Sequence, residues 1–406
     1  MVNWQTLALR LQSLVVFRGL LRREVPAAFA AFVQSLSGSE AEQVRAYCDL
    51  ADAVYRSGFD FSCTLLEDTV QDENFYLHLL AKEQPIPQEL SDCVERELLL
   101  LNEVANLSSE DLCGAIRCEI PLPRFSSGSL DFPAEYHRRT AAVQTQGWGV
   151  FAESTMFYFR AGALVPARPA DPITVNDLSG YDTQHRLVIE NTRSLMAGLP
   201  AANLLLYGDA GTGKSSTVKA AANLFAPAGL RLIELKKHQL RQLPELMEQL
   251  EDTPLKFILF IDDLSFQRSD DDFNALKAAL EGSSCTRASN VVIYVTSNRR
   301  HLIRERFSDR EGADDIHRRD TVQELLSLSE RFGRSVSFST PNKALYLQIV
   351  RDLALRKGIT LNVDTLEHRA EAFALEKGGR SPRAAEQFTN CLLAEKCWKE
   401  PSSCLP

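Results

Sequence analysis

Gly208-Asp209-Ala210-Gly211-Thr212-Gly213-Lys214-Ser215 is the stretch on which the fold of this chain turns. It directly follows the apolar run Leu204-Leu-Leu-Tyr207 and precedes Ser216-Thr-Val-Lys-Ala-Ala-Ala-Asn223, which reads as a helix. A strand, a glycine loop and a helix in that order form the context in which such an octet binds phosphate rather than making an ordinary glycine-rich turn. Glycines 208, 211 and 213 let the backbone turn tightly and approach an anion closely, with main-chain amides and the helix N-terminus facing it. Lys214 is then expected to reach the β- and γ-phosphates of ATP, and Ser215 to offer a hydroxyl ligand to Mg²⁺. Asp209, Ala210, Thr212 and Ser216 complete the expected nucleotide-binding set.

Beyond the loop, apolar runs recur at Leu230-Arg-Leu-Ile-Glu-Leu235, Phe257-Ile-Leu-Phe-Ile261 and Val291-Val-Ile-Tyr-Val295, separated by helical segments. Continuous apolar strands of this kind indicate a buried parallel sheet between helices. The run at 257 delivers Asp262 and Asp263 at its C-terminal end. Asp262 is the expected Mg²⁺ ligand, direct or through water, and Asp263 the group that orients or deprotonates the attacking water. Aspartate is one methylene shorter than glutamate, so hydrolysis is expected to be slow or to depend on a partner that completes the site. Another strand lies between Lys214 and Asp262, so the two motif strands are not sequential neighbours.

Later segments narrow the reading. Thr296-Ser-Asn298 ends a strand with an amide placed to position water, as a sensor 1 residue does. Leu328-Ser-Glu-Arg331-Phe-Gly333 precedes the strand candidate Ser335-Val-Ser-Phe338 and resembles the box that presents an arginine finger to a neighbouring subunit. From Pro341 the chain becomes helical, and Gly378-Gly-Arg380-Ser-Pro-Arg383 opens a last helix through Pro382. Arg383 is the sensor 2 candidate and Arg380 its competitor. Asp177-Leu-Ser-Gly180-Tyr181-Asp-Thr-Gln184 resembles the segment that packs against adenine, which makes Gly180 and Tyr181 nucleotide-contact candidates.

In order and spacing, these motifs resemble a bacterial family of AAA+ ATP-binding proteins of unknown function, over about residues 172 to 395. The resemblance extends to Asp262-Asp-Leu-Ser-Phe266 and Thr296-Ser-Asn-Arg-Arg-His301. It implies a P-loop AAA+ core, a parallel sheet sandwiched by helices, with a C-terminal helical lid. It implies no substrate.

Residues 1 to about 160 read mainly as helices, with Leu7, Leu11, Leu14, Phe17 and Leu21 at three- and four-residue steps. Three prolines in Pro166-Ala-Arg-Pro-Ala-Asp-Pro172 favour an extended connector. The expected organisation is a helical recognition domain over 1–165, an ATPase core over 172–340, and a lid with its tail over 341–406. The 406 residues carry a net charge of −9, so any basic surface must be local. Nine cysteines without a C-x-x-C pair suit reduced thiols in a cytoplasm. No secretory signal and no membrane-spanning run is expected.

The leading expectation is an oligomeric, Mg²⁺-dependent ATPase that remodels or regulates an unidentified protein client. The alternatives are an ATP-dependent loader or switch on nucleic acid, and an ATP-binding scaffold with little hydrolysis. Seven arginines between Arg299 and Arg319, interleaved with acids, fit a subunit interface or a solvated face, and only weakly a nucleic-acid surface.

Overall fold

The computed structural model describes residues 2–118, 120–251, 253–264, 271–281, 289–298 and 331–399. It divides into two compact units, Met1–Glu153 and Ser154–Pro406. Each has its own apolar core.

The first unit is helical throughout, with long helices at Glu24–Ser35, Glu40–Arg56 and Gln88–Ala105. Ser108 opens a helix as expected, through a capping box in which Asp111 accepts from the Ser108 backbone N–H at 2.9 Å. The stripe at the N-terminus differs by one position from the helical expectation. The first helix stops at Gln12 and a 3₁₀ turn follows over Arg18–Arg22, so Leu20 rather than Leu21 is fully buried. That break is stabilised by Glu97, a buried carboxylate that accepts from the backbone N–H groups of Val15, Val16 and Phe17 at 2.8, 3.1 and 3.1 Å. Three N–H donors compensate the burial of its charge.

The second unit is built on a seven-stranded sheet. Its strands are β1 (Met156–Arg160), β2 (Ala163–Pro166), β3 (Leu204–Gly208), β4 (Leu230–Leu235), β5 (Lys256–Ile261), β6 (Val291–Ser297) and β7 (Arg334–Phe338). Their spatial order is β2-β1-β4-β5-β6-β3-β7, and every pairing is parallel except the β1–β2 hairpin. β5 is buried over Phe257–Ile261, as its unbroken apolar run requires when helices cover both faces. Helices Asp182–Met196, Lys214–Phe225 and Leu243–Glu251 connect the strands, and Lys343–Arg356, Val363–Glu376 and Pro382–Lys399 form the helical lid. The α/β P-loop fold expected from the sequence is the fold observed.

The hairpin moves the division between the units. The proline-rich connector at 166–172 was the expected junction, yet β1 hydrogen-bonds in parallel with β4 and belongs to the second unit. Met156-Phe-Tyr-Phe-Arg160 is a short aromatic strand, and Ala161 and Gly162 turn at φ 49° and 79°. Two left-handed residues between paired strands are the turn that follows strand twist, and a glycine after an aromatic run is its sequence signal. The segment 299–330, with its arginines and with Leu328-Ser-Glu330, lies outside the described residues, as do Ser265 and Phe266.

Candidate nucleotide site

The C-terminal ends of β3, β5 and β6 lie side by side because β6 is inserted between the other two. This order brings residues from three distant stretches into one hydrogen-bonded cluster. Ser215 Oγ and Thr296 Oγ1 both donate to Asp262 Oδ1, at 2.6 and 2.5 Å. Asn298 Nδ2 donates to Asp263 Oδ1 at 2.6 Å, and Asn298 Oδ1 accepts from Lys214 Nζ at 3.1 Å. Asp263 has φ 49°, a left-handed backbone that aspartate tolerates better than most residues, and its N–H is held by Thr296 Oγ1 at 2.8 Å.

Lys214 is nearly buried, and its ammonium also donates to the carbonyls of Gly208 and Asp209 at 3.0 and 2.7 Å. Burial lowers its pKa, while Asp209, Asp263 and Asp262 oppose that shift. Gly208 cannot be exchanged for a residue with a side chain. Its φ is 136°, and an added Cβ would lie 2.0 Å from the Phe338 carbonyl oxygen of β7. Asp209 turns away from the loop to cap the segment after β7, accepting from Thr340 N at 2.7 Å and Thr340 Oγ1 at 2.5 Å. These bonds hold its carboxyl below the usual range.

The cluster opens into a cavity of about 910 Å³. Residues 210–216 of the loop and the ends of β5 and β6 form its polar wall. Ile173 and Leu178, from the segment before helix Asp182–Met196, and Ile349 and Leu353, from the first lid helix, form an apolar wall. Gly180 and Tyr181 do not line it. Tyr181, with φ 56°, turns its ring inward against Phe338 at 5.4 Å between centroids and donates from its hydroxyl to the Ser339 carbonyl at 2.6 Å. The expected wall residues at 180 and 181 are therefore replaced by their neighbours a few positions earlier.

The lid contacts the loop directly, since Arg383 N donates to the Gly211 carbonyl at 3.2 Å and Arg383 lines the cavity. Arg380 is instead engaged by Glu371 through two bonds of 2.9 and 2.8 Å and is not part of the lining. Arg383→Ala is expected to weaken nucleotide affinity about tenfold, the scale of one charge-assisted bond. Arg380→Ala is expected to leave that affinity within about twofold, because it removes a part-buried ion pair outside the cavity lining. Titration calorimetry on the two variants checks the pair. Arg331 is half-buried three residues before β7 and does not line the cavity. Arg334 pairs with Leu204 and Phe338 with Gly208, so Arg331 sits at the end of the strands opposite the loop, roughly 13 Å or more away along them.

Several lining residues carry no motif in the sequence. Asp171 is tied to Lys219 at 3.2 Å, and Arg356 of the lid helix bonds the Asn176 carbonyl and Ser179 Oγ. His185 is 8% exposed and lines the cavity from the first turn of its helix. A position facing a cavity from a helix cannot be told from a core position by periodicity alone, since both are apolar-side positions.

The clustered ends of β3, β5 and β6, the strand order around them and the helical lid define an AAA+ P-loop protein. The family model described as "Protein of unknown function (DUF815)" matches residues 152–396, and the chain belongs to that family. Among solved structures it is similar to the RuvB Holliday junction branch migration motor of Thermotoga maritima, at 14% identity over 55% of this chain and 67% of that one, with a TM-score of 0.38. A single-substitution variant of that motor is similar at 15% identity over the same shares, also with a TM-score of 0.38. No curated protein matches the chain. No helix among the described residues is long and apolar enough to cross a membrane.

Proposed function

We propose that the cavity binds ATP with Mg²⁺ and that the chain hydrolyses it at a junction between two copies, using the cycle to remodel or regulate a protein client. The observation that carries this reading is the convergence of Lys214, Ser215, Asp262, Asp263 and Asn298 on one cavity from three adjacent strand ends. Ser215 and Asp262 present hydroxyl and carboxylate oxygens, the donor set a hard divalent cation takes, so Mg²⁺ fits there. When bound, such a cation would supply positive charge against the phosphates. Lys214 releases the carbonyls it now bonds to meet the same phosphates, and residues 211–215 wrap them with main-chain amides. Asp263 takes the proton of the attacking water, with Asn298 setting its orientation. Arg383 reaches the γ-phosphate from the lid of the same chain, and Arg331 serves the site of the next copy.

The Asn298 bond to Asp263 favours slow basal turnover, since one carboxylate oxygen is already occupied. Partner binding or assembly then raises the rate. The test is steady-state phosphate release across a range of protein concentrations. Turnover per chain that climbs with concentration, and vanishes without Mg²⁺, is the expected result. A rate per chain that is constant in a protein shown to be monomeric removes the intersubunit site, and an absence of ATP binding removes the whole reading.

A further inference from the structure

His185 is a buried imidazole that the hydrolytic chemistry does not use. It is 8% exposed, faces the nucleotide cavity, and stands beside Tyr181 and Phe338 at centroid distances of 6.4 and 6.2 Å. No hydrogen-bond partner for its ring nitrogens exists among the described residues, and the ring opens on the cavity instead. A ring that packs against two aromatics and keeps its nitrogens unpaired at a cavity wall is placed to meet a ligand. Ile173, Leu178, Ile349 and Leu353 also line the cavity and suit the faces of a flat heterocycle, with Asp177, Ser179 and Arg356 lining it beside them.

We infer that His185 selects the base of the bound nucleotide, accepting a hydrogen bond from the exocyclic amine of a 6-aminopurine. This rests on the nucleotide-binding reading above and adds to it the group that reads the base. The assignment follows from what the imidazole can offer. Burial pushes His185 down to about 4, so at physiological pH the ring is neutral and keeps one lone pair. A neutral acceptor at a cavity wall gains from an N–H donor held there by a bound ligand. A purine that lacks the 6-amino group offers no N–H to that lone pair and forgoes this bond. Discrimination by an unpaired polar group is more effective than discrimination by shape alone.

The experiment compares three ligands on the full chain with Mg²⁺: ATP, purine riboside triphosphate, which lacks only the 6-amino group, and inorganic tripolyphosphate, which has no base. The natural chain is expected to prefer ATP over purine riboside triphosphate by about threefold to tenfold, the worth of one hydrogen bond. His185→Leu is expected to bring that ratio to about one while tripolyphosphate affinity is unchanged, and His185→Gln, which keeps an acceptor, to retain part of the preference. His185→Phe replaces the leucine variant if the latter does not fold. A preference that persists in the apolar variant, or a natural chain that does not distinguish the two nucleotides, overturns the role of His185 and leaves nucleotide binding standing. A natural chain that binds neither nucleotide nor tripolyphosphate defeats the nucleotide reading itself.

Discussion

Asp263→Asn is expected to lower ATP turnover by about 10²- to 10⁴-fold, the usual contribution of a positioned general base, while ATP affinity stays within about threefold. The reasoning starts from what the substitution keeps. An amide is close in size to the carboxylate, preserves the left-handed backbone at φ 49°, and still offers Asn298 an oxygen to bond. Lys214, Ser215 and Asp262 are untouched, so phosphate binding is retained. What is lost is the ability to accept a proton from water. Rapid-quench measurement of phosphate release, beside an equilibrium titration with ATP, separates the two. A turnover loss under about fivefold means that Asp263 is not the base. The same chemistry predicts the opposite response to Asp263→Glu, in which the added methylene carries the carboxylate further into the cavity.

Arg331→Ala is expected to cost about 10³-fold or more in turnover with ATP affinity unchanged, the scale of a transition-state arginine supplied in trans. The register of β7 on β3 is the basis. It sets Arg331 at the far end of the strands from the loop of its own chain, where no side chain of ordinary reach contacts its own phosphates. A planar guanidinium is suited to charge spreading over a transferred phosphoryl group in a way lysine is not. The distinguishing measurement is mixing. Chains with Arg331→Ala keep an intact loop, and chains with Lys214→Ala keep an intact arginine, so combining two inactive preparations restores activity if the arginine acts across the junction. A mixture that stays inactive, with assembly verified by sedimentation, excludes that arrangement.

Much of the α/β P-loop core was legible from residue order. Four apolar runs, the glycine octet and the paired aspartates each report a local requirement: a buried strand, a close approach to phosphate, a polar strand end. The helical first unit was legible for the same reason, because amphipathic spacing is local. The hairpin at 156–166 was not, since its strands are short and β1 gains its place only by pairing with β4, 70-odd positions on. Leu20 replaced Leu21 in the core for a similar cause. Glu97, far along the chain, stabilises a break that the apolar stripe by itself does not signal.

The choice between Arg380 and Arg383 marks the limit most clearly. Both follow the same glycine pair and both are arginines near the start of one helix, so no property of the residues separates them. The fold does, by giving Arg380 a carboxylate at Glu371 and setting Arg383 against Gly211. Likewise, a resemblance made Gly180 and Tyr181 the nucleotide-contact candidates, but a left-handed backbone at Tyr181 turned that ring into the core, and Leu178, Ile173 and His185 line the cavity. The sequence by itself determined which chemical groups exist and which strand or loop each occupies, because those follow from short-range pattern. Only the tertiary structure decided which of them share a cavity, since that depends on strand order and on partners 84 to 180 positions apart.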